Sequence, residues 1–140
     1  MTVEYSLRGV SIEQFATIFE PEGENIEFNL TIPLKANYRD RMLAVGANIQ
    51  FSEDGKTFLV AEAFCHFEIR EECWQELSEG NTRDVVIPKD LMDVLSRIAV
   101  GTLRGVLSAK TDNTPFSKFY LPIIKIQSPE DSEGFLWVKL

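Results

Sequence analysis

The run from 88 to 109, PKDLMDVLSRIAVGTLRGVLSA, limits the possible folds more than any other stretch. At about 100° per residue, Asp90, Asp93, Arg97, Arg104 and Ser108 fall on one narrow polar stripe. Leu91, Leu95, Ile98, Ala99, Val100, Leu103, Val106 and Leu107 spread over most of the remaining circumference. A surface helix needs a single apolar face, so this one is expected to be covered on two sides. Pro88 suits a first helical position, where a missing N–H costs nothing, and Asp90 and Asp93 complement the helix dipole. The segment IAVGTLRGVLSA carries a single charge in twelve residues. That segment is too short, and the run as a whole too interrupted by charge, to span a membrane.

Two glycines inside that helix call for a reason, because each costs about 1 kcal/mol relative to alanine. Gly101, Gly105 and Ala109 form a row of small residues at the edge of the polar stripe, where another backbone can approach closely. Either a second helix crosses there, or the domain's own sheet or loop does.

The chain before the helix alternates like an antiparallel sheet. Val3, Tyr5 and Leu7 keep one parity, Val10 and Ile12 the other, and a bulge at Gly9 would restore one buried face. In NIEFNLTIPL, residues Ile26, Phe28, Leu30, Ile32 and Leu34 share one side; Pro33 cannot donate to a ladder and belongs at an edge or a strand end. Residues 42–51 place Leu43, Val45, Ala47, Ile49 and Phe51 together, and Asp54-Gly55 marks a hairpin turn. The fourth strand, TFLVAEAFCHFEI, is apolar on both faces, so it is central with cover on each side or gives one face to a partner. A helical turn follows at EECWQEL, closed by Gly80-Asn81. Four strands and then a long helix make an α+β fold, a four-stranded antiparallel sheet packed on one helix, in a single domain over 1–140.

With 22 acidic and 14 basic residues the formal charge is -8. That balance argues against nucleic acid and anionic membrane as partners and permits a basic protein. Cys65, Cys73 and one histidine cannot build the usual zinc framework, and no metal or other cofactor is expected. The opening MTVEYSLRGV lacks the basic and apolar regions of a secretory signal, so a cytoplasmic location is expected, in keeping with reduced thiols. Nucleophile and phosphate-loop motifs are absent, and Cys65 and His66, as strand neighbours, point to opposite faces; no catalytic residue is assigned.

After the helix, Asn113-Thr114-Pro115 breaks the pattern and FSKFYLPIIKI follows. An apolar extended stretch interrupted by Pro122 either lines a groove for another extended chain or lids the domain's own core.

The order of elements, with VVIPKDLMDVLSRIAVGTLRGVL, FYLPIIKI and the strand FLVAEAFCHFEI, resembles the SecB family of export chaperones over about residues 3 to 126. The first of these words resembles that family's first long helix, and the second its proline loop. The resemblance implies a homotetramer, a dimer of dimers with the long helices sandwiched between sheets. It also implies an ATP-independent holdase that binds unfolded precursor polypeptides and delivers them to a SecA-type motor. Leu121, Pro122 and Ile123 would be the loop positions of a polypeptide-binding groove, with Phe116, Phe119 and Tyr120 as apolar lining assigned on chemistry. Gly101, Gly105, Arg97 and Arg104 are the candidate oligomer contacts, and Glu62 is the candidate for motor docking. The chain departs from the family in having IKI after the proline and SPEDSEGFLWVKL in place of a second helix. The alternative is a SecB-like interaction module dedicated to one partner, such as an antitoxin.

Overall fold

The structure, a computed structural model, describes residues 2–78, 84–123 and 135–139. β1 (Tyr5–Thr17) is an edge strand that pairs antiparallel with β5 (Lys56–Ile69). Its partners step from Leu7↔Phe67 to Gly9↔His66, so Arg8 is the extra residue of a bulge at the expected place. A second shift between Ile12 and Gln14 leaves Glu13 extra. Both bulges serve one purpose: Tyr5, Leu7, Val10, Ile12 and Phe15 stay on a single face despite their changing parity.

Among the described residues the main sheet has five strands, not the four expected from the pattern. β2 (Ile26–Thr31) and β3 (Leu34–Asn37) both pair with β4 (Met42–Glu53), and every pair from Ile26↔Glu53 to Asn37↔Met42 fits one continuous register. Pro33 causes the break. Its carbonyl accepts the Gly46 N–H at 2.8 Å, but proline has no N–H to return, so the ladder is interrupted over residues 32 and 33 on an edge where the loss is tolerated.

β4 and β5 are joined by a two-residue turn with positive φ at Asp54 (51°) and Gly55 (80°), the geometry that suits the twist of a hairpin. The sheet order is β1-β5-β4-β2, with β3 continuing beside β4. α1 (Glu71–Ser78) realises the expected helical turn; its proposed end at Gly80-Asn81 lies outside the described residues. β6 (Asp84–Pro88) then pairs with β7 (Phe135–Lys139) in a separate two-stranded sheet. Val85, Val86, Ile87 and Pro88 are therefore strand, not the start of the helix. Pro88, with φ −58° and ψ 140°, is the residue before α2 (Lys89–Thr111).

α2 packs across β4 and β5. Leu43, Val45, Ala47 and Ile49 of β4 face it together with Leu59, Ala61, Ala63, Cys65 and Phe67 of β5, all buried, against Leu95, Ala99, Leu103 and Leu107 of the helix. Each large side chain so buried is worth about 1.5–3 kcal/mol. On the opposite face of β5, Phe64 is also buried, by a different device. The Phe64 ring lies across Gly46, where an added Cβ would sit 2.8 Å from that ring and 2.9 Å from Pro33, and the Lys35 ammonium stands 4.5 Å above the ring. The helix face of the central strand is thus covered by α2, and Phe64 on the other face is covered within the chain by glycine, proline and lysine.

The two-sided cover expected for α2 is not met within the described chain. Val94, Arg97, Gly101, Gly105, Ser108 and Ala109 form an exposed side, and nothing lies within 4 Å of a Cβ added at either glycine.

Candidate functional site

α2 ends at Thr111, and Thr114, Ser117 and Phe119 donate backbone hydrogen bonds to residues three earlier, so the chain turns back across the end of the sheet. There it meets a cluster of phenylalanines. The Phe119 ring sits edge-on to Phe58 at 4.8 Å and 5.8 Å from Phe51; Phe116 stacks near Phe58 at 6.4 Å, and Phe19 closes the other side at 5.8 Å. Aromatic pairs at these separations add about 0.5–1.5 kcal/mol beyond their burial.

The proline segment both covers the core and lines open space beside it. Phe116, Phe119 and Leu121 (1% exposed) close the core, whereas Tyr120 is 67% exposed and Ile123 93%. Beside them runs a groove of about 260 Å³ lined by Phe28, Phe51, Lys118, Phe119, Tyr120 and Pro122. Of the six expected groove residues, Phe119, Tyr120 and Pro122 line it. Phe116 and Leu121 lie beneath, and Ile123 stands outside.

Phe28, Phe51 and Lys118 were not among the expected lining. Phe28 reaches the groove because it pairs with Phe51 in register, a neighbour that alternation within one strand cannot reveal. Lys118 sits inside the FSKFYLP run, and its position beside two aromatic residues was the available signal.

The expected oligomer contacts divide. Gly101, Gly105 and Arg97 are exposed on the open side of α2. Arg104 turns into its own chain, donating from Nε to the Leu121 carbonyl and from Nη2 to the Pro122 carbonyl, each at 2.9 Å. Glu62 lies half-buried on the sheet face away from α2, where it accepts a hydrogen bond from Asn48 Nδ2 at 2.9 Å.

On that same face Ser11 Oγ stands 2.8 Å from His66 Nε2 and donates to Glu13 Oε1, also at 2.8 Å. The hydroxyl has one proton, which goes to the carboxylate, so the imidazole is the donor to the serine oxygen. That is the reverse of a base activating a nucleophile. The hollow of about 240 Å³ beside His66 is lined by Lys35, Ala36, Asn37, Met42 and Ala44, with no carboxylate. Cys65 faces the helix, its Sγ 3.4 Å from Thr102 Oγ1, so the two neighbours do point apart.

A larger polar cleft of about 460 Å³ lies at the Tyr5 end of the sheet, among Glu4, Arg8, Arg41, Glu68, Arg70 and Glu72. Its arginines are each paired: Glu68 lies 2.8 Å from Arg8 and 3.5 Å from Arg41, and Arg70 lies 2.6 Å from Glu4 and 2.9 Å from Glu72, while Glu71 also lines the cleft. The hydrogen bond to Glu4, then the charges of Glu4 and Glu72, raise the pKa of Arg70. A backbone hydrogen bond, then the charge of Arg70, lowers that of Glu72. No group of three or more histidine, cysteine or carboxylate side chains is placed to hold a metal among the described residues. No described helix is long and apolar enough to cross a membrane.

No family model matches this sequence, and no curated protein matches it. Among solved structures, the chain is similar to a protein of unknown function from Streptococcus agalactiae, at 13% identity over 80% of this chain and 90% of that one, with a TM-score of 0.43. It is also similar to a SecB-like chaperone of Mycobacterium tuberculosis in complex with a ChAD peptide from the HigA1 antitoxin. The identity is 12% over 91% of each chain, with a TM-score of 0.44.

Proposed function

We propose that the chain is a SecB-like polypeptide-binding protein that takes one short, extended apolar segment of a dedicated partner, such as an antitoxin, into the groove beside Pro122. No ATP is used, and no bond is made or broken. The observation that carries this is the size and composition of the groove. At about 260 Å³, with Phe116 and Leu121 committed to the core beneath it, it has room for one or two side chains of a client. That lies below the range of about 300–1,000 Å³ typical of small-molecule sites, and its aromatic walls suit an apolar side chain on an extended backbone.

A broader function, a holdase for many unfolded precursors handed on to a SecA-type motor, is favoured by Tyr120 and Ile123, which extend apolar surface past the groove. In that case Glu62, central on the opposite sheet face, is the docking candidate.

Assembly into a dimer of dimers is proposed from a separate surface. Tyr5 (36% exposed), Leu7 (52%), Val10 (48%) and Ile12 (48%) lie on the helix side of the edge strand, beside the open glycine row of α2. A second copy laid there would bury both.

The test is a titration of labelled, reduced polypeptides, unfolded and native, into the purified protein, alongside recovery of bound proteins from cells. Retention of one partner, with saturable binding of a single segment of it, is expected. Saturable binding of many unrelated unfolded chains would establish the broader holdase instead, and no binding to any chain would end both.

A further inference from the structure

We infer that Arg104 is the positioning residue of the groove: its guanidinium sets which way the proline segment faces. This rests on the polypeptide-binding role proposed above. Residues 120–123 belong to no strand or helix, and Pro122 has no N–H to offer a ladder. The carbonyls of Leu121 and Pro122 are instead taken by Nε and Nη2 of Arg104, each at 2.9 Å.

Two donors fixed in one plane grip two successive carbonyls and so hold rotation as well as position, which a single ammonium cannot do. Rotation matters here because neighbours in an extended chain alternate sides. Leu121 points into the core at 1% exposed, while Tyr120 and Pro122, on either side of it, both line the groove. Turned over, the same segment would offer Leu121 to the groove and ask the core to take Tyr120 and Pro122. Burial of Leu121 holds one side of this arrangement, and the guanidinium holds the backbone of the same residue. Arg104 is also the single charge in the otherwise uncharged segment from 98 to 109.

The experiment compares the wild-type chain with Arg104→Met, which keeps length and helix propensity, and Arg104→Lys, which keeps charge. Backbone order parameters from NMR relaxation are read at Tyr120, Leu121 and Ile123, with β5 as internal control. Affinity is read with the same panel of unfolded polypeptides. Expected values are about 0.85 for the segment in the wild type and below about 0.6 in Arg104→Met, with β5 unchanged and Arg104→Lys between the two. Affinity in Arg104→Met should fall at least about tenfold, the worth of a charge-assisted hydrogen bond. Unchanged order parameters in Arg104→Met would overturn the inference, and so would a loosened segment that binds as well as before. If Arg104→Met does not fold, Arg104→Lys is judged by the same two readouts. Should the wild type bind no polypeptide, the function proposed above fails, and the order parameters alone still decide whether Arg104 holds the segment.

Discussion

β1 and β4 carry the same alternation on the same side of one sheet and end in opposite states. Leu43, Val45, Ala47 and Ile49 of β4 are fully buried, whereas Leu7, Val10 and Ile12 of β1 are about half exposed. The difference lies in where α2 runs, across β4 and β5 and not over β1. Alternation states which side of a strand is apolar; a second layer decides whether that side is buried. Phe64 adds a third case, buried on the face without a helix because Gly46 leaves room for its ring.

The sharpest way to break the contrast is to truncate matched isoleucines. Ile49→Ala should cost about 2–5 kcal/mol in denaturant titration, as a buried side chain leaves a cavity. Ile12→Ala should cost less than about 1 kcal/mol in dilute protein, because little is lost from a half-exposed site. Equal costs would mean that β1 is covered in solution, and a cost for Ile12→Ala that grows with protein concentration would identify a second copy as the cover.

Gly46→Ala tests the third case. Its Cβ would crowd both Phe64 and Pro33, so a loss of about 1–3 kcal/mol is expected, with the Phe64 ring resonances displaced. A neutral result would show that the ring is not held on the glycine.

A small effect of the opposite sign is expected on the open side of α2. In protein dilute enough to be monomeric, Gly101→Ala and Gly105→Ala should each raise stability by about 1 kcal/mol, since both positions are exposed and helical within the chain and nothing in it meets the added methyl. A loss of stability, accompanied by a lower mass in sedimentation, would show instead that another backbone lies against the row.

Much of this fold was legible along the chain because it depends on near neighbours. The bulge at Gly9 shows as a change of parity, the hairpin as Asp54-Gly55, and the opposed directions of Cys65 and His66 follow from their adjacency on a strand. The five-strand count was missed although its cause, Pro33, was in view, since a missing N–H interrupts a ladder without ending the register. At the candidate site, the aromatic run and Pro122 could be read in advance. The partners that make it a groove, Phe28 and Phe51, could not, because they come from other strands and meet Tyr120 only when the chain folds back.

What the sequence by itself determined is therefore the set of periods, turns and apolar faces, each a consequence of dihedral preferences acting over a few residues. Only the tertiary structure decided which of those faces is covered. It also decided that Arg104, on the polar stripe of its helix, turns to the backbone of Leu121 and Pro122 instead of outward. The physical reason is range: a period is set within one turn or one pair of residues. Burial and the choice of hydrogen-bond partner depend on which distant segments arrive, and Arg104 meets carbonyls seventeen and eighteen residues further along the chain.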